Sequence, residues 1–196
     1  MIPAFNTCTP SPEFNVLCDR GFDAILMRPL MICLCCLAEA AQIVLDCPVK
    51  TVMVPLNVTH TAIVTHTVHT RLCAPTTKDN NSNIVPSTDL RLMLSSLITF
   101  FAHTYKEVYG FEDGPPLHDA LTVAFVSKPD LFKSKRYRVD VELHGRHTTG
   151  ETVLDLWDFR KCDNTWGVDG KNCLVLEALE VRRFVYLQCC LTRLFP

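Results

Sequence analysis

A histidine and an aspartate are adjacent at positions 118 and 119, after two prolines and before an apolar run, in the segment GPPLHDALTVAF. Gly114 and the prolines end the preceding element and preset the backbone for a short helix, which we expect over residues 117–126. Successive helical side chains point about 100° apart, so His118 and Asp119 would serve two neighbouring targets. The helix dipole keeps a first-turn carboxylate ionised, as a metal ligand must be, while the histidine can transfer a proton. The alternative is that Asp119 caps the helix and His118 is a partly exposed polar residue.

The composition is that of one globular domain. The chain has 196 residues, of which 48% are hydrophobic and 20% charged, and its net charge is −2. This balance argues against binding to nucleic acid or to an anionic membrane, so we expect a small-molecule partner or another subunit. No segment has the ~20 continuous apolar residues that a membrane span needs. Eleven irregularly spaced cysteines and the lack of a signal-peptide pattern predict a reduced, cytoplasmic protein.

Two groups of residues have types found in metal sites. The cysteines of MICLCCLAEAA have no matching ligand pair nearby, so we interpret them as buried thiols rather than a zinc site. His60, His66 and His69 lie in a threonine-rich segment without carboxylates. We interpret these histidines as solvated loop residues.

Strands and helices alternate along the chain. Apolar patterns predict strands at residues 13–19, 51–58, 137–145, 150–159 and 173–179, the third and fourth forming a hairpin. Helical patterns predict further helices at 38–46, 88–109 and 181–195, and the second of these has Ser87 or Thr88 as its cap and Gly110 as its stop. The polar segment 69–89 is typical of a surface loop. The predicted fold class is therefore α/β, a layered open sheet with flanking helices.

Several separated motifs together resemble one enzyme family. GPPLHDALTVAFVSKPDLF followed by YRVDVELHGRHTTGETVLDLW, with SPEFNVLCD and VPLNVTH in the right order, is similar to the C-terminal half of the inosine-uridine-preferring nucleoside hydrolases. The resemblance implies hydrolysis of the N-glycosidic bond of purine and pyrimidine ribonucleosides to base and ribose by a calcium-activated water, in nucleotide salvage. It also implies calcium as cofactor, a ribonucleoside as substrate and assembly as a homo-oligomer.

The same resemblance assigns roles to individual residues. Asp119 corresponds to a calcium ligand, and His118 to a catalytic residue beside the departing base. Glu13 and Asn15 correspond to residues that bind the ribose hydroxyls. Their i, i+2 spacing puts both on one face of a strand, as a two-point grip on a sugar requires. The alternative is that they are ordinary polar residues at a strand edge.

The chain departs from the family pattern in two ways. The family motif Asp-x-Asp-x-x-x-Asp-Asp, which supplies most calcium ligands, is missing, so we expect residues 1–196 to be a single partial domain without the Asp-rich N-terminal half. Calcium takes 6–8 oxygen ligands, so Asp119 alone cannot hold it and we expect the chain alone to be inactive. Residues 20–38 interrupt the pattern as an apparent insertion, either genuine or translated from non-coding sequence. Its apolar residues predict poor solubility.

Three classes of function follow. The first is a nucleoside N-ribohydrolase, or the C-terminal portion of one. The second is a catalytically inactive homologue that binds nucleosides weakly or is completed by another chain. The third is a structural or interaction protein that keeps the fold without the ligand chemistry.

Overall fold

The computed structural model describes residues 15–20, 23–27, 33–74 and 86–185, with side chains from residue 38 onward. The chain divides into two compact units, one comprising the described residues up to Val58 and those from His118 to Ala178, the other those from Thr59 to Leu117 and from Leu179 on. The strands are β1 (Asn15–Arg20), β2 (Asp23–Met27), β3 (Lys50–Val54), β4 (Phe132–Tyr137), β5 (Val139–Val141), β6 (Thr152–Leu154) and β7 (Cys173–Leu179). The helices are α1 (Cys33–Asp46), α2 (Leu56–Thr59), α3 (His66–Cys73), α4 (Asp89–Tyr109) and α5 (Asp119–Ser127), and a 3-10 turn covers Pro129–Leu131.

The first unit is built on a five-stranded sheet in the order β2-β1-β3-β7-β4. Strand β1 is antiparallel to both of its neighbours, while β3 and β7 are parallel. The predicted α/β class is confirmed. Residues 51–54 of β3 are all buried, as expected for a strand covered on both faces. The predicted strand 51–58 was too long, because Pro55 has no amide hydrogen and α2 begins at Leu56.

Helix α1 and the predicted hairpin enclose the core of this unit. Strands β5 and β6 pair antiparallel, which confirms the hairpin, and α1 contacts β5. The predicted strands 137–145 and 150–159 were too long, because β5 and β6 cover only three residues each. The buried cluster between these elements and the sheet contains Ala38, Leu45, Met53, Tyr137, Val139, Val141, Cys173 and Val175. Helix α1 begins at Cys33, five residues before the predicted start, and β2 also lies in the apparent insertion. Residues 20, 23–27 and 33–38, the described parts of this segment, thus have regular backbone structure that the apolar pattern did not indicate.

Arg138 is the main polar link inside this unit. Its side chain is 5% exposed and donates hydrogen bonds to the carbonyl oxygens of Gly167 (3.0 Å) and Val168 (2.7 Å). It also contacts the carboxylates of Asp46, at 3.0 Å, and Asp140. One buried guanidinium therefore ties the end of α1 to β5 and to the loop before β7, in the forked geometry that arginine provides.

The second unit contains α3 and α4. The Thr88 hydroxyl accepts the Arg91 backbone N–H at 3.3 Å, and Gly110 ends α4 in the left-handed conformation with φ 72°. Both predicted ends of this helix are confirmed. The predicted loop 69–89 was partly wrong, because its first five residues belong to α3 and residues 75–85 lie outside the described part of the chain. A further helix begins at Val181, as predicted, and is described as far as Val185.

Helix α4 turns an unexpected face inward. Its one buried residue is Arg91, whose guanidinium donates to the carbonyl oxygen of Leu72 at 2.6 Å. The apolar side chains whose spacing predicted the helix are largely exposed, among them Leu90, Met93 and Leu97. The spacing of the apolar residues therefore predicted the helix correctly, but it did not identify the side of the helix that is buried.

Candidate active site

The chain just before α5 is fixed by backbone contacts to residues 62–64. Val64 N–H donates to the Pro115 carbonyl oxygen, and Leu117 N–H donates to the Ala62 carbonyl oxygen, both at 2.9 Å. Gly114 lies at φ 132°, and a Cβ there would meet the Val64 carbonyl oxygen at 2.1 Å. Only glycine fits this approach. These contacts fix the backbone conformation of residues 114–117, which directly precede His118.

His118 and Asp119 mark the start of α5, which begins two residues later than predicted. His118 is the N-cap residue rather than part of the first turn, and its side chain makes no capping hydrogen bond. Asp119 is the first helical residue and is exposed, whereas His118 is half-buried. The interpretation of Asp119 as the cap is therefore wrong. An exposed carboxylate at the positive end of the helix dipole is a suitable ligand for a cation.

The inward side of α5 holds this start in place. The hydroxyl of Thr122, which is fully buried, donates to the Asp119 carbonyl oxygen at 2.7 Å. Leu121 and Ala124 are buried beside it, and Leu121 N–H donates to the His118 carbonyl oxygen at 3.0 Å. The backbone of both candidate residues is thus anchored, while Asp119 is exposed and His118 is half-buried.

Asn15 lies at the edge of the sheet where β3 ends. It pairs with Val54, the last residue of that strand, and α5 packs against β1 in the same unit. Ligands of open α/β sheets bind beyond the carboxyl ends of the parallel strands, and β3 belongs to the parallel pair. The structure therefore brings together the elements that carry Asn15, His118 and Asp119. Glu13 lies outside the described residues, as does the side chain of Asn15.

The three histidines interpreted as solvated loop residues have other surroundings. His60 is half-buried against the Phe111 ring, 5.1 Å away, and burial lowers its pKa. His69 lies on α3 and shares a 2.9 Å hydrogen bond with the Ser95 hydroxyl of α4. Burial, and secondarily the charge of His66, lower the pKa of His69. The loop interpretation was wrong for His66 and His69, because both lie on α3, a helix capped by its preceding threonine. His60 does lie in a turn, but it is half-buried rather than solvated, whereas His66 is exposed.

The second unit has a concave feature that the sequence patterns did not predict. A pocket of about 340 Å³ lies beside the C-terminal end of α4. Its lining residues are His60, Ile63, Tyr109, Gly110, Phe111, Glu112 and Asp113. Two of its lining residues are acidic, and the Glu112 carboxylate is paired with the Lys106 ammonium at 2.9 Å. The signal available in the sequence was the segment YGFED, where aromatic and acidic residues directly follow the helix.

The described residues do not form a metal site by themselves. No group of three or more His, Cys, Asp or Glu side chains in the described ranges can hold a metal ion. Calcium needs 6–8 oxygen ligands, so the carboxylate of Asp119 supplies at most a part of that set. None of the helices in the same ranges is long and apolar enough to cross a membrane.

Comparison with known proteins decides the family. The model of the inosine-uridine preferring nucleoside hydrolases matches residues 35–186, which include α5 and its start. The chain belongs to this family. The predicted resemblance is confirmed for that range, while the nucleoside hydrolase motif that contains Glu13 and Asn15 lies before it.

Curated nucleoside hydrolases show the same relationship. A probable ribonucleoside hydrolase of Dictyostelium discoideum is 33% identical over 157 residues, covering 80% of this chain and 39% of the relative. The pyrimidine-specific ribonucleoside hydrolase RihA of Escherichia coli K12 is 32% identical over 150 residues, covering 76% of this chain and 39% of the relative. The chain thus spans about two fifths of the length of these relatives.

Solved nucleoside hydrolases share the fold. A purine-preferring ribonucleoside hydrolase from Gardnerella vaginalis superposes with a TM-score of 0.61 at 22% identity, covering 80% of this chain and 43% of the other. A plant nucleoside hydrolase superposes with a TM-score of 0.62 at 22% identity, covering 77% of this chain and 43% of the other. The α/β architecture described above is therefore that of part of a nucleoside hydrolase.

Proposed function

We propose that this chain acts in the hydrolysis of the N-glycosidic bond of purine and pyrimidine ribonucleosides to base and ribose. The observation that carries the proposal is the family match across residues 35–186, which includes the histidine and aspartate at the start of α5. Their anchored backbone and the exposed position of Asp119 suit groups that meet a ligand. The likeness to relatives named as ribonucleoside hydrolases supports the substrate class.

Each candidate residue has a role in this proposal. Cleavage of the N-glycosidic bond leaves its electron pair on the base, so a proton from His118 stabilises the departing ring. Glu13 and Asn15 hold the ribose hydroxyls and orient the sugar at the sheet edge. Asp119 offers one carboxylate toward calcium, which when bound supplies a water of lowered pKa. The other calcium ligands have to come from outside the described residues, since these hold no suitable group of three.

The test is ribose release from inosine and uridine by the purified chain with calcium present. Asp119→Asn is compared with Asp89→Asn, because both aspartates are exposed first residues of their helices. Any turnover by the chain should fall by about 10²-fold or more in His118→Ala, as for a lost general acid. Asp119→Asn should abolish turnover, and Asp89→Asn should leave it unchanged. Equal rates for the two aspartate variants would contradict the proposed role of Asp119.

A non-catalytic nucleoside-binding protein is the second candidate. It is favoured by the lack of a three-ligand metal group in the described ranges. In that case calorimetry detects inosine binding that Asn15→Ala weakens, while no ribose is released. Folded protein that neither binds inosine nor releases ribose would overturn both candidates and leave the structural class of function.

A further inference from the structure

Helix α3 is a short element that two polar contacts tie to α4. Its eight residues bury only two side chains, Val68 and Cys73. A helix of this length is not stable in water without tertiary contacts. The Arg91 guanidinium binds its C-terminal end through the Leu72 carbonyl oxygen at 2.6 Å, and Nε2 of His69 lies 2.9 Å from the Ser95 hydroxyl oxygen. The docking of α3 on α4 therefore depends on these contacts.

The half-buried ring of His69 favours its neutral form at this position. Burial lowers the pKa of His69, and the charge of His66, one turn earlier on α3, lowers it further. The hydrogen bond to Ser95 survives protonation, because a hydroxyl group can accept as well as donate. The cost of a proton on His69 is therefore desolvation and repulsion rather than a lost hydrogen bond.

The charged groups around this contact do not offset a proton on His69. Besides His69, the titratable and charged side chains of the two helices are, in chain order, His66, Arg71, Asp89, Arg91, His103, Lys106 and Glu107. Helix α3 has no carboxylate; on α4, Asp89 is the exposed first residue and Glu107 lies more than three turns after Ser95. The buried Arg91 lies one turn before Ser95. A protonated His69 thus adds a positive charge between existing cationic groups.

His60, the other half-buried histidine of this unit, has different surroundings. Glu112 and Asp113 line the same pocket as His60, and carboxylates favour a positive charge nearby. The Phe111 ring also contacts His60 at 5.1 Å. Sensitivity to acid is therefore expected at α3 rather than at this pocket.

We propose that α3 is a pH-dependent latch, docked on α4 while His69 is neutral and released when His69 is protonated, and that its release loosens the contacts of residues 62–64 with residues 115–117. Thr65, which caps α3, directly follows Val64, whose N–H donates to the Pro115 carbonyl oxygen. Leu117, whose N–H donates to the Ala62 carbonyl oxygen, directly precedes His118. The latch therefore couples pH to the backbone that leads into α5.

The direction of the pH dependence follows from the lowered pKa of His69. An unfolded histidine takes up its proton near pH 6.5, whereas the docked His69 resists it until the pH is lower. The contribution of His69 to docking is therefore complete above about pH 6.5 and decreases as the pH falls below that value. This inference concerns local folding and does not rest on the proposed nucleoside chemistry.

The first experiment measures amide hydrogen exchange of the full chain at about pH 7.5 and pH 5, corrected for the intrinsic exchange rates. We expect the opening constant of α3 to rise by about threefold or more at the lower pH, and that of the Leu117 amide to rise with it. Strands β3 and β7 of the first unit serve as the internal reference and should stay protected.

The second experiment compares variants of the histidines. His69→Gln keeps a side chain that can bond to Ser95 but takes up no proton, so α3 should be equally protected at both pH values. His66→Gln leaves His69 in place and removes the like charge, so the pH response should become smaller. The matched control is His103→Gln, because His103 is an exposed histidine of α4. This variant should respond to pH as the wild type does.

Four results would overturn the proposal. The first is a wild-type α3 that is equally protected at both pH values, and the second is a folded His69→Gln or His66→Gln variant that keeps the full pH response. The third is a loss of protection in β3 and β7 in step with α3, which would show acid unfolding of the whole chain. The fourth is a Leu117 amide that stays protected while α3 opens, because the latch would then not reach α5.

Discussion

Gly114 holds the approach to α5 in a backbone conformation that other residues rarely adopt. Its φ is 132°, and a Cβ at this position would lie only 2.1 Å from the Val64 carbonyl oxygen, which leaves no room for a side chain. We expect Gly114→Ala to lower the free energy of unfolding by about 3 kcal/mol or more. Gly110→Ala is the control, because its φ is 72° but the surrounding space is open, and about 1–2 kcal/mol is expected. Urea denaturation measures the free energy of unfolding of both variants. Equal losses of free energy in Gly114→Ala and Gly110→Ala would contradict the steric explanation.

Tyr137 gives the fold a sensitivity to alkaline pH. Its buried hydroxyl donates to the Glu177 carboxylate at 2.5 Å, and this bond, with burial, raises the pKa of Tyr137 to about 12. The unfolded chain loses this proton near pH 10, so the contribution to stability is complete below pH 10 and disappears as the pH rises toward 12. We expect the melting temperature of the wild type to fall faster than that of Tyr137→Phe between pH 10 and 12. Parallel curves would show that the bond does not contribute.

At the scale of elements, the buried guanidinium of Arg138 joins α1, β5 and the loop before β7. Arg138→Met would leave the carboxylates of Asp46 and Asp140, each only 29% exposed, without their shared cation. We expect a loss of about 3 kcal/mol in the free energy of unfolding. Arg160→Ala removes the exposed ion pair to the same Asp140, so less than about 1 kcal/mol should be lost. Similar losses in chemical denaturation would show that burial does not decide the contribution of Arg138.

The elements that could be predicted well from the sequence are those whose signals are local. Helix α4 has a threonine cap and a glycine stop, and the hairpin and β7 have clear apolar patterns, so their positions could be predicted. The buried side of α4 depends on which neighbours cover it, and the spacing of its leucines could not reveal that Arg91 lies inward. The end of β3 at Val54 had a local signal in Pro55, whereas no such signal marked the start of α1 at Cys33.

The candidate site shows the same division. The prolines and the glycine before His118 predicted a helix start there, and the structure places His118 as the cap and Asp119 first. The contacts of residues 115–117 with residues 62–64 had no sequence signal, because they join segments about 50 residues apart. The ribose-binding role of Glu13 and Asn15 remains a prediction.

At the scale of the whole molecule, the chain spans about two fifths of the length of its curated relatives. If the carboxylates of this chain do not complete a calcium site, millimolar calcium should raise the melting temperature of the full chain no more than that of Asp119→Asn. Magnesium at the same concentration controls for ionic strength. A calcium-specific rise that Asp119→Asn removes would show that the chain completes a calcium site by itself.

The parallel pairing of β3 with β7 determines how late in synthesis this part of the sheet can form. Thr51 pairs with Cys173, which is 122 residues further along the chain. At the usual rate of about 5–20 residues per second, a ribosome needs on the order of 6–24 s to make the intervening segment. During that interval β3, whose side chains at 51–54 are all buried in the finished fold, lacks its parallel neighbour. Until Cys173 has emerged, β3 therefore has an unpaired backbone edge of the kind that promotes aggregation.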